Sequence, residues 1–312
     1  SIRRSKMEEI YSSGDIAKVY QAILKSVEEI TELVRYKLVK ITDSKNHFGE
    51  EQLNIDKETD EIIYRNLEET GVVHSACSEE SIHPTVFNED GSFIVTFDPL
   101  DGSSILDAKF AVGSIFGIWP KCDLIGASCR DMIGAALGIY GNKSCVVLYN
   151  SEKDQVDELT YCKIEEEKTW VITDTKITLK PDAKHFAPGN LRITKDLPNY
   201  KKVIDWYIDN GKRLRYSGGM ASDCYHMLHK KDGVFLYPGI KEGKKSLTLR
   251  VLYECAPLAL LVEKAGGVAH DGDIPILDIV VDCYGMKSPI FMGSKNDIER
   301  VDKIMRGIDI DE

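Results

Sequence analysis

An eight-residue segment, Phe97–Ser104, constrains this chain more than any other part of its 312 residues. It follows an apolar, β-branched run at 93–96 that is typical of a buried strand. Asp98 and Asp101 therefore stand at a strand end where both can face one metal site, and Gly102 opens a small-residue turn whose backbone N–H groups suit a phosphate. An Asp-Gly turn is common in any fold. Aspartates packed around a proline directly after a buried strand favour the metal-and-phosphate interpretation.

The net charge of the chain limits the kinds of molecule that it is expected to bind. Lys plus Arg number 40 and Asp plus Glu number 51, which gives a formal net charge of −11. An acidic chain is a poor general binder of nucleic acid or of an anionic membrane. No stretch approaches the ~20 apolar residues of a membrane helix, and the first residues carry no signal-peptide core. We therefore expect a cytoplasmic protein that binds neither nucleic acid nor membrane, with a plastid location as the alternative if a transit peptide has been removed.

Helical and strand-like patterns alternate along the chain. Apolar spacing predicts helices at 15–40, 53–69, 199–210 and 249–265 and from Asn296 onward, and apolar runs predict strands at 93–97, 112–119, 145–149, 234–237 and 289–292. We expect Gly134–Gly141 to turn between two of these strands. The alternation favours a layered α/β fold. The hydrophilic stretch 150–185 is where we place the boundary between an N-terminal subdomain, 1–180, and a C-terminal subdomain, 181–312.

Other carboxylates are candidates for the same site. Phosphoryl transfer with a metal needs several hard oxygen ligands that converge on one cavity. Glu50 precedes Asp56, the pair Glu79 and Glu80 follows a serine, and Glu254 lies on a later predicted helix. Taken singly, such residues are usually found at a helix start or on a solvated face. The pair at 79–80 is more suggestive, because the short apolar run before it can place it at a strand end.

The segment Phe97–Ser104 resembles the signature of the fructose-1,6-bisphosphatase family, within the magnesium-dependent, lithium-sensitive phosphatases. Four further segments fit that family in the same order: Cys77-Ser78-Glu79-Glu80, Gly113-Ser114-Ile115-Phe116-Gly117, Leu252-Tyr253-Glu254 and Glu263-Lys264-Ala265-Gly266-Gly267. The similarity covers residues 15–305. It implies a layered sugar-phosphatase fold, an αβαβα sandwich of two packed α/β subdomains, and metal-dependent hydrolysis of a sugar bisphosphate.

Several segments resemble one branch of that family, the sedoheptulose-1,7-bisphosphatases: Phe48–Leu53, Phe186–Arg192, Leu214–Met220 and Gly293–Asn296. The run Pro188–Arg192 discriminates best, because fructose-bisphosphatases carry an asparagine and a tyrosine for the distal phosphate there. The resemblance implies that the 1-phosphate of sedoheptulose 1,7-bisphosphate is hydrolysed to give sedoheptulose 7-phosphate and phosphate. Two alternatives stay open: fructose 1,6-bisphosphate as the main or a second substrate, and a catalytically silent sugar-phosphate sensor.

The resemblance also implies roles for single residues around two or three Mg²⁺ ions, with Mn²⁺ as a substitute. The implied metal ligands are Glu50, Glu79, Asp98, Asp101, Glu254 and the carbonyl of Leu100. Asp56 and Glu80 match the pair that activates the attacking water. The implied substrate contacts are Gly102, Ser103, Ser104, Arg192, Arg215, Tyr216, Gly219, Met220, Tyr237 and Arg250.

These substrate contacts divide by position. The resemblance implies that Gly102–Ser104 hold the transferred phosphate with Arg250 nearby, and that Gly219 and Met220 offer backbone contacts to the sugar. Arg192, Tyr216 and Tyr237 match the distal-phosphate site. Arg215 matches a residue that reaches the site of a neighbouring subunit, which implies a homodimer, with a tetramer left open.

Two positions depart from the family pattern. Glu50 replaces the more usual aspartate, and the added methylene is expected to shift or weaken the third metal position. Thr248 stands where the family commonly has a lysine for the distal phosphate. Lys244 or Lys245 from a shifted loop, or Arg192 alone, are the alternatives for that charge.

Overall fold

The structure is a computed structural model that describes residues 14–37, 41–45, 51–81, 83–240 and 247–308. Its α-helices are α1 (Asp15–Tyr36), α2 (Asn54–Glu68), α3 (Ser103–Leu106), α4 (Pro198–Asp209), α5 (Met220–Lys230), α6 (Ala256–Lys264) and α7 (Lys295–Met305). A π-helical turn, Val251–Cys255, precedes α6 directly. Glu50, Lys244 and Lys245 lie outside the described residues, so their predicted roles stay predictions.

The strands of the first half form an eight-stranded sheet. They are β3 (Val73–Ser78), β4 (Thr85–Val86), β5 (Phe93–Asp101), β6 (Val112–Pro120), β7 (Gly134–Tyr140), β8 (Ser144–Asn150), β9 (Gln155–Ile164) and β10 (Glu167–Asp174), in the order β10-β9-β8-β7-β6-β5-β3-β4. All neighbours pair antiparallel except β3 and β5, which are parallel. A separate two-stranded sheet joins β1 (Ile41–Lys45) to β2 (Glu51–Leu53).

A five-stranded sheet lies in the second half. Its strands are β11 (His185–Pro188), β12 (Arg213–Leu214), β13 (Val234–Tyr237), β14 (Val268–His270) and β15 (Ile290–Gly293), in the order β12-β11-β13-β15-β14. Strand β11 runs parallel to both of its neighbours, whereas β15 is antiparallel to β13 and β14.

Helices cover both sheets in layers. Helices α1 and α2 pack on the outer face of the eight-stranded sheet, α5 and α6 lie between the two sheets, and α4 and α7 cover the other face of the five-stranded sheet. This arrangement confirms the predicted α/β class with two subdomains. The exact boundary at residue 180 stays a prediction. Within the described part of the chain, no helix is long and apolar enough to cross a membrane.

The prediction that Gly134–Gly141 forms a turn was wrong. Gly134–Tyr140 is strand β7, fully buried in the eight-stranded sheet. Its glycines are explained by packing, because α1 lies directly against this strand. A Cβ atom added at Gly138 would lie 2.8 Å from Cγ2 of Val27, and one added at Gly134 would lie 2.7 Å from the hydroxyl of Tyr20. The glycines therefore make room for a helix rather than bending the chain.

We predict that Gly138→Ala destabilises the protein by about 1–3 kcal/mol, since the new methyl group overlaps Val27 and forces α1 away from β7. Gly141→Ala is the matched control, because its nearest contact would be an ordinary 3.5 Å to Cβ of Ala111. Urea unfolding of both variants measures the difference. Equal free energies of unfolding for the two variants would contradict the packing explanation.

Candidate active site

Two parallel strands deliver the first carboxylates to one edge of the sheet. Strands β3 and β5 pair with Ser78 opposite Phe97, and the N–H of Glu79 donates to the carbonyl of Phe97 over 2.9 Å. Because parallel strands end at the same edge, Glu79 and Asp98 lie side by side there. Ligands of α/β sheets commonly bind at such carboxyl ends. The predicted position of Glu79 and Glu80 directly after a strand is confirmed.

The turn after Asp98 keeps both aspartates of the opening motif near this edge. Oδ1 of Asp98 accepts the N–H of Leu100 over 3.0 Å, which closes a tight Asx turn around Pro99. The pairing of β5 with β6 shifts register between Asp98 and Asp101. Gly102 then takes a left-handed conformation with φ of 83° and leads into α3. A glycine is favoured at this point because other residues rarely adopt such a φ.

The π-helical turn at 251–255 supplies Glu254. Turns of this kind occur often at functional sites, where they re-aim a side chain. The turn is tied to β5 by the hydroxyl of Thr96, which donates to the carbonyl of Leu252 over 3.0 Å. Oε2 of Glu254 accepts the backbone N–H of Arg250 over 2.6 Å. These bonds hold a carboxylate from the second half of the chain against the first sheet.

Glu79, Asp98 and Glu254 form a compact acidic cluster. One carboxylate oxygen from each lies within 4.8 Å of the others, and Asp98 and Glu254 are only 6% and 5% exposed. Burial raises the pKa of Asp98, and the charges of Glu79, Asp101 and Glu254 raise it further. Burial and the charges of Glu79 and Asp101 likewise raise the pKa of Glu254.

Asp101 shares this environment. Burial raises its pKa to about 7, although the N–H of Ala221, which donates to its Oδ2 over 2.6 Å, partly opposes the shift. The buried guanidinium of Arg250 contacts Glu79. Several desolvated carboxylates that repel one another fit a divalent cation, whose preferred ligands are hard oxygens and whose charge would offset the repulsion.

The side chain of Leu100 is buried in the core, and its carbonyl as a metal ligand stays a prediction. Gly219 and Met220 lie at the start of α5, facing Gly102. A Cβ atom added at Gly219 would lie 3.6 Å from Cα of Gly102, so two backbones from different halves of the chain meet at the site.

The predicted water-activating pair, Asp56 and Glu80, comes from two elements. Asp56 is in the first turn of α2 and is 5% exposed, and Glu80 is half-buried just after β3. The structure adds Asp60, which sequence reasoning missed. Burial, together with the charges of Glu80 and Glu61, raises the pKa of Asp60 to about 7. Its spacing of four residues from Asp56 places both on one helix face, and that spacing was the available signal.

A cavity of about 210 Å³ opens in front of these groups. The residues that line it are Glu79, Asp101, Gly102, Ser104, Tyr216, Gly218, Met220, Phe235, Tyr237, Thr248, Leu249 and Glu254. The cavity therefore brings together eight of the sixteen residues predicted for metal and substrate. Ser103 is the neighbouring first residue of α3.

Tyr216 and Tyr237 line the same cavity. The hydroxyl of Thr248 donates to that of Tyr237 over 3.1 Å. Burial and the neighbouring Tyr237 raise the pKa of Tyr216 to about 12, whereas the charge of Arg192 acts in the opposite direction. Arg192 itself is exposed and is not among the residues that line the cavity. Arg215 is exposed beside the edge strand β12, where its Nη1 donates to the carbonyl of Leu214 over 2.7 Å. Its contact with a neighbouring subunit stays a prediction.

Comparison with known proteins identifies the family. Residues 2–173 match the model of the fructose-1-6-bisphosphatase N-terminal domain, and residues 179–306 match that of the C-terminal domain. The chain belongs to the fructose-1,6-bisphosphatase family. It is thus a member of a family of metal-dependent sugar bisphosphatases, as the sequence motifs predicted.

Relatives with two different substrates are similar to this chain. A chloroplastic sedoheptulose-1,7-bisphosphatase of Triticum aestivum is 39% identical over 264 residues, which are 84% of this chain and 66% of the wheat protein. A class 1 fructose-1,6-bisphosphatase of Geobacter sulfurreducens is 36% identical over 297 residues, 95% of this chain and 92% of that protein. The crystal structure of Leishmania major fructose-1,6-bisphosphatase in holo form has a TM-score of 0.87 at 25% identity and covers 98% of this chain and 99% of that one.

The raised pKa values make a prediction about metal-free protein. A carboxyl whose pKa rises on folding stabilises the fold below its unfolded pKa and loses that contribution as pH rises through the folded value. For Asp101 this interval runs from about pH 4 to about pH 7. We therefore expect Asp101→Asn to gain stability relative to wild type across this interval, because the amide keeps the bond to Ala221 without the charge.

Urea unfolding in a chelator at several pH values measures this gain. Asp209→Asn, at an exposed position on α4, is the control and should show no comparable trend. A difference between Asp101→Asn and wild type that stays constant from pH 4 to pH 7 would show that the cluster carries no such electrostatic cost.

Proposed function

We propose that this protein removes the 1-phosphate of sedoheptulose 1,7-bisphosphate, giving sedoheptulose 7-phosphate and phosphate. The observation that supports it best is the acidic cluster of Glu79, Asp98 and Glu254, of which Glu79 and Glu254 line a cavity that two tyrosines also line. The carboxylates suit a phosphate with metal ions, and the tyrosines suit a more distant part of a phosphorylated sugar.

We propose Mg²⁺ as the cofactor, with Glu79, Asp98, Asp101 and Glu254 among its ligands. Carboxylates are the ligands that Mg²⁺ prefers. When bound, such ions neutralise and polarise a phosphate and stabilise the leaving alkoxide. Glu50 and the carbonyl of Leu100 are the remaining proposed ligands.

The residues of the chain itself bind the phosphate and accept a proton. Gly102 precedes α3, and Ser103 and Ser104 are its first two residues. Backbone N–H groups in such a turn suit a phosphate. Asp56 and Glu80 approach from α2 and β3, where a carboxylate can take the proton of the attacking water. In-line attack on a phosphoryl group depends on such positioning more than on covalent chemistry.

The choice of a heptulose is supported by the segment Pro188–Arg192. Gly189 lies against the ring of Tyr237, since an added Cβ atom would be 2.4 Å from Cδ2 of that ring. The side chain of Asn190 donates to the carbonyl of Pro238 over 2.8 Å. This packing holds the segment beside Tyr237, and we propose that Arg192, which follows in the same segment, supplies the charge for a distal phosphate.

Fructose 1,6-bisphosphate is the second candidate substrate, because the Geobacter sulfurreducens relative is a fructose-1,6-bisphosphatase. We further propose a homodimer in which Arg215 reaches the partner's site, since its side chain is exposed. A cytoplasmic location remains our expectation from the sequence.

A panel of sugar bisphosphates in Mg²⁺ tests the function, with released phosphate as the readout. We expect a higher kcat/KM for sedoheptulose 1,7-bisphosphate than for fructose 1,6-bisphosphate, and at least about a 100-fold loss of kcat in Asp98→Asn, because removal of a ligand should cost more than loss of a supporting contact. A preference for the hexose would exclude our substrate. Turnover that is unchanged in Asp98→Asn would exclude the metal mechanism.

Arg192→Ala tests the distal site. We expect KM for the heptulose bisphosphate to rise about 10-fold with little change in kcat, since a hydrogen bond to a charged group contributes about 1.5–3 kcal/mol. Lys195→Ala is the matched control, because it removes an exposed positive charge from the same short helix, Leu191–Lys195. Equal KM values for the two variants would remove Arg192 from the site.

A further inference from the structure

Alternate residues of the segment 216–220 line the cavity of the candidate active site: Tyr216, Gly218 and Met220. The side chain of Tyr216 is exposed, and within the described part of the chain its hydroxyl forms no hydrogen bond. The place of this ring therefore depends on the backbone that carries it.

Asp223 holds that backbone from the first turn of α5, where it is only 6% exposed. Its Oδ1 accepts the backbone N–H of Ser217 over 2.8 Å. Its own backbone N–H donates to the carbonyl of Gly219 over 3.1 Å, and the N–H of Gly219 donates to Oγ of Ser217 over 3.2 Å. Together these bonds fold the segment back onto the start of the helix.

The bond to Ser217 acts directly on Tyr216, because a peptide unit is planar. The N–H of Ser217 lies in one plane with the carbonyl group and Cα of Tyr216. An acceptor that fixes the direction of this N–H therefore also fixes the main chain from which the tyrosine ring extends. Gly218 continues the bend with φ of 98°, which a glycine adopts without strain.

A buried carboxylate is a costly acceptor for one turn. Burial raises the pKa of Asp223 to about 6, so the charged form is disfavoured at this position. The N-terminal end of α5 offsets part of that cost through the helix dipole. In return, an ionised acceptor forms a shorter and stronger hydrogen bond than a neutral one, which suits a turn that has to stay rigid.

We propose that Asp223 is a positioning residue that acts through the peptide unit of Ser217 to place Tyr216 for binding of the distal phosphate of the substrate. This role rests on the proposed function, in which Tyr216 contacts that phosphate. Asp223 itself touches neither substrate nor metal. Its loss should therefore weaken substrate binding and leave the chemical step almost unchanged.

Steady-state kinetics with sedoheptulose 1,7-bisphosphate in Mg²⁺ test this role. We expect Asp223→Ala and Tyr216→Phe each to raise KM about 10-fold with little change in kcat, as for the loss of one hydrogen bond to a charged group. The double variant should have the KM of the single variants, because both changes remove the same contact. Asp223→Asn should have a KM close to that of wild type, since its amide oxygen can accept the same N–H.

Asp297→Ala is the matched control. Asp297 is likewise buried in the first turn of a helix, α7, and accepts a backbone N–H, that of Ala183, over 2.6 Å. It lies on the other face of the five-stranded sheet from α5. We expect this variant to lose stability, as Asp223→Ala does, and to keep the KM of wild type. Thermal unfolding compares the stability of all variants.

Gly218→Ala replaces Asp223→Ala if the latter does not fold. Its Cβ atom would meet only an ordinary 3.7 Å contact with Cγ2 of Ile105, but its φ strains any residue other than glycine. This variant should therefore disturb the same segment and raise KM.

The outcomes separate this role from the proposed function. An active wild type with unchanged KM in Asp223→Ala, or in Gly218→Ala where that variant replaces it, overturns the role of Asp223 alone. Additive losses in the double variant, or an equal rise of KM in Asp297→Ala, do the same. A wild type that hydrolyses no sugar bisphosphate overturns the proposed function, and the role of Asp223 with it.

Discussion

Mutual repulsion among buried carboxylates is the constraint on which the rest of this structure depends. Glu79, Asp98 and Glu254 are held together at a cost to stability that neither local propensity nor core packing requires. The surrounding bonds serve to keep them there: the parallel pairing of β3 with β5, the Asx turn at Asp98 and the tie between Thr96 and the π-helical turn. Residues whose placement reduces the stability of a fold are expected at functional sites, where ligand binding is the reason for the placement.

The site is shared between the two halves of the chain. The first sheet supplies Asp98 and Asp101, and the second half supplies Glu254 and the start of α5. The bond from the N–H of Ala221 to Asp101 and the close approach of Gly102 and Gly219 join these halves beside the proposed phosphate site. Neither half alone can complete the cavity, so binding at the site is linked to how the two sheets are packed together.

Sequence reasoning located the site from two signals. Some of its carboxylates follow predicted strands, and the segment Phe97–Ser104 resembles a family signature. This reasoning placed Asp98 and Glu79 correctly at strand ends, and it predicted the α/β layers from periodicity alone. It failed at β7, whose glycines suggest a turn until α1 is known to pack on them. It also missed Asp60, since a carboxylate on a helix resembles any solvated residue until the facing strand is known. The misses depend on tertiary contacts, which no local pattern contains.

The bond between Thr96 and Leu252 joins residues that are 156 positions apart. Contacts of such long sequence separation form late, because closing a large loop is entropically costly. The eight-stranded sheet consists mostly of neighbouring hairpins and can form before Glu254 arrives. The part of the electrostatic penalty that Glu254 contributes is therefore met only when the two halves dock, and a divalent cation held by carboxylates of both halves would favour that docking.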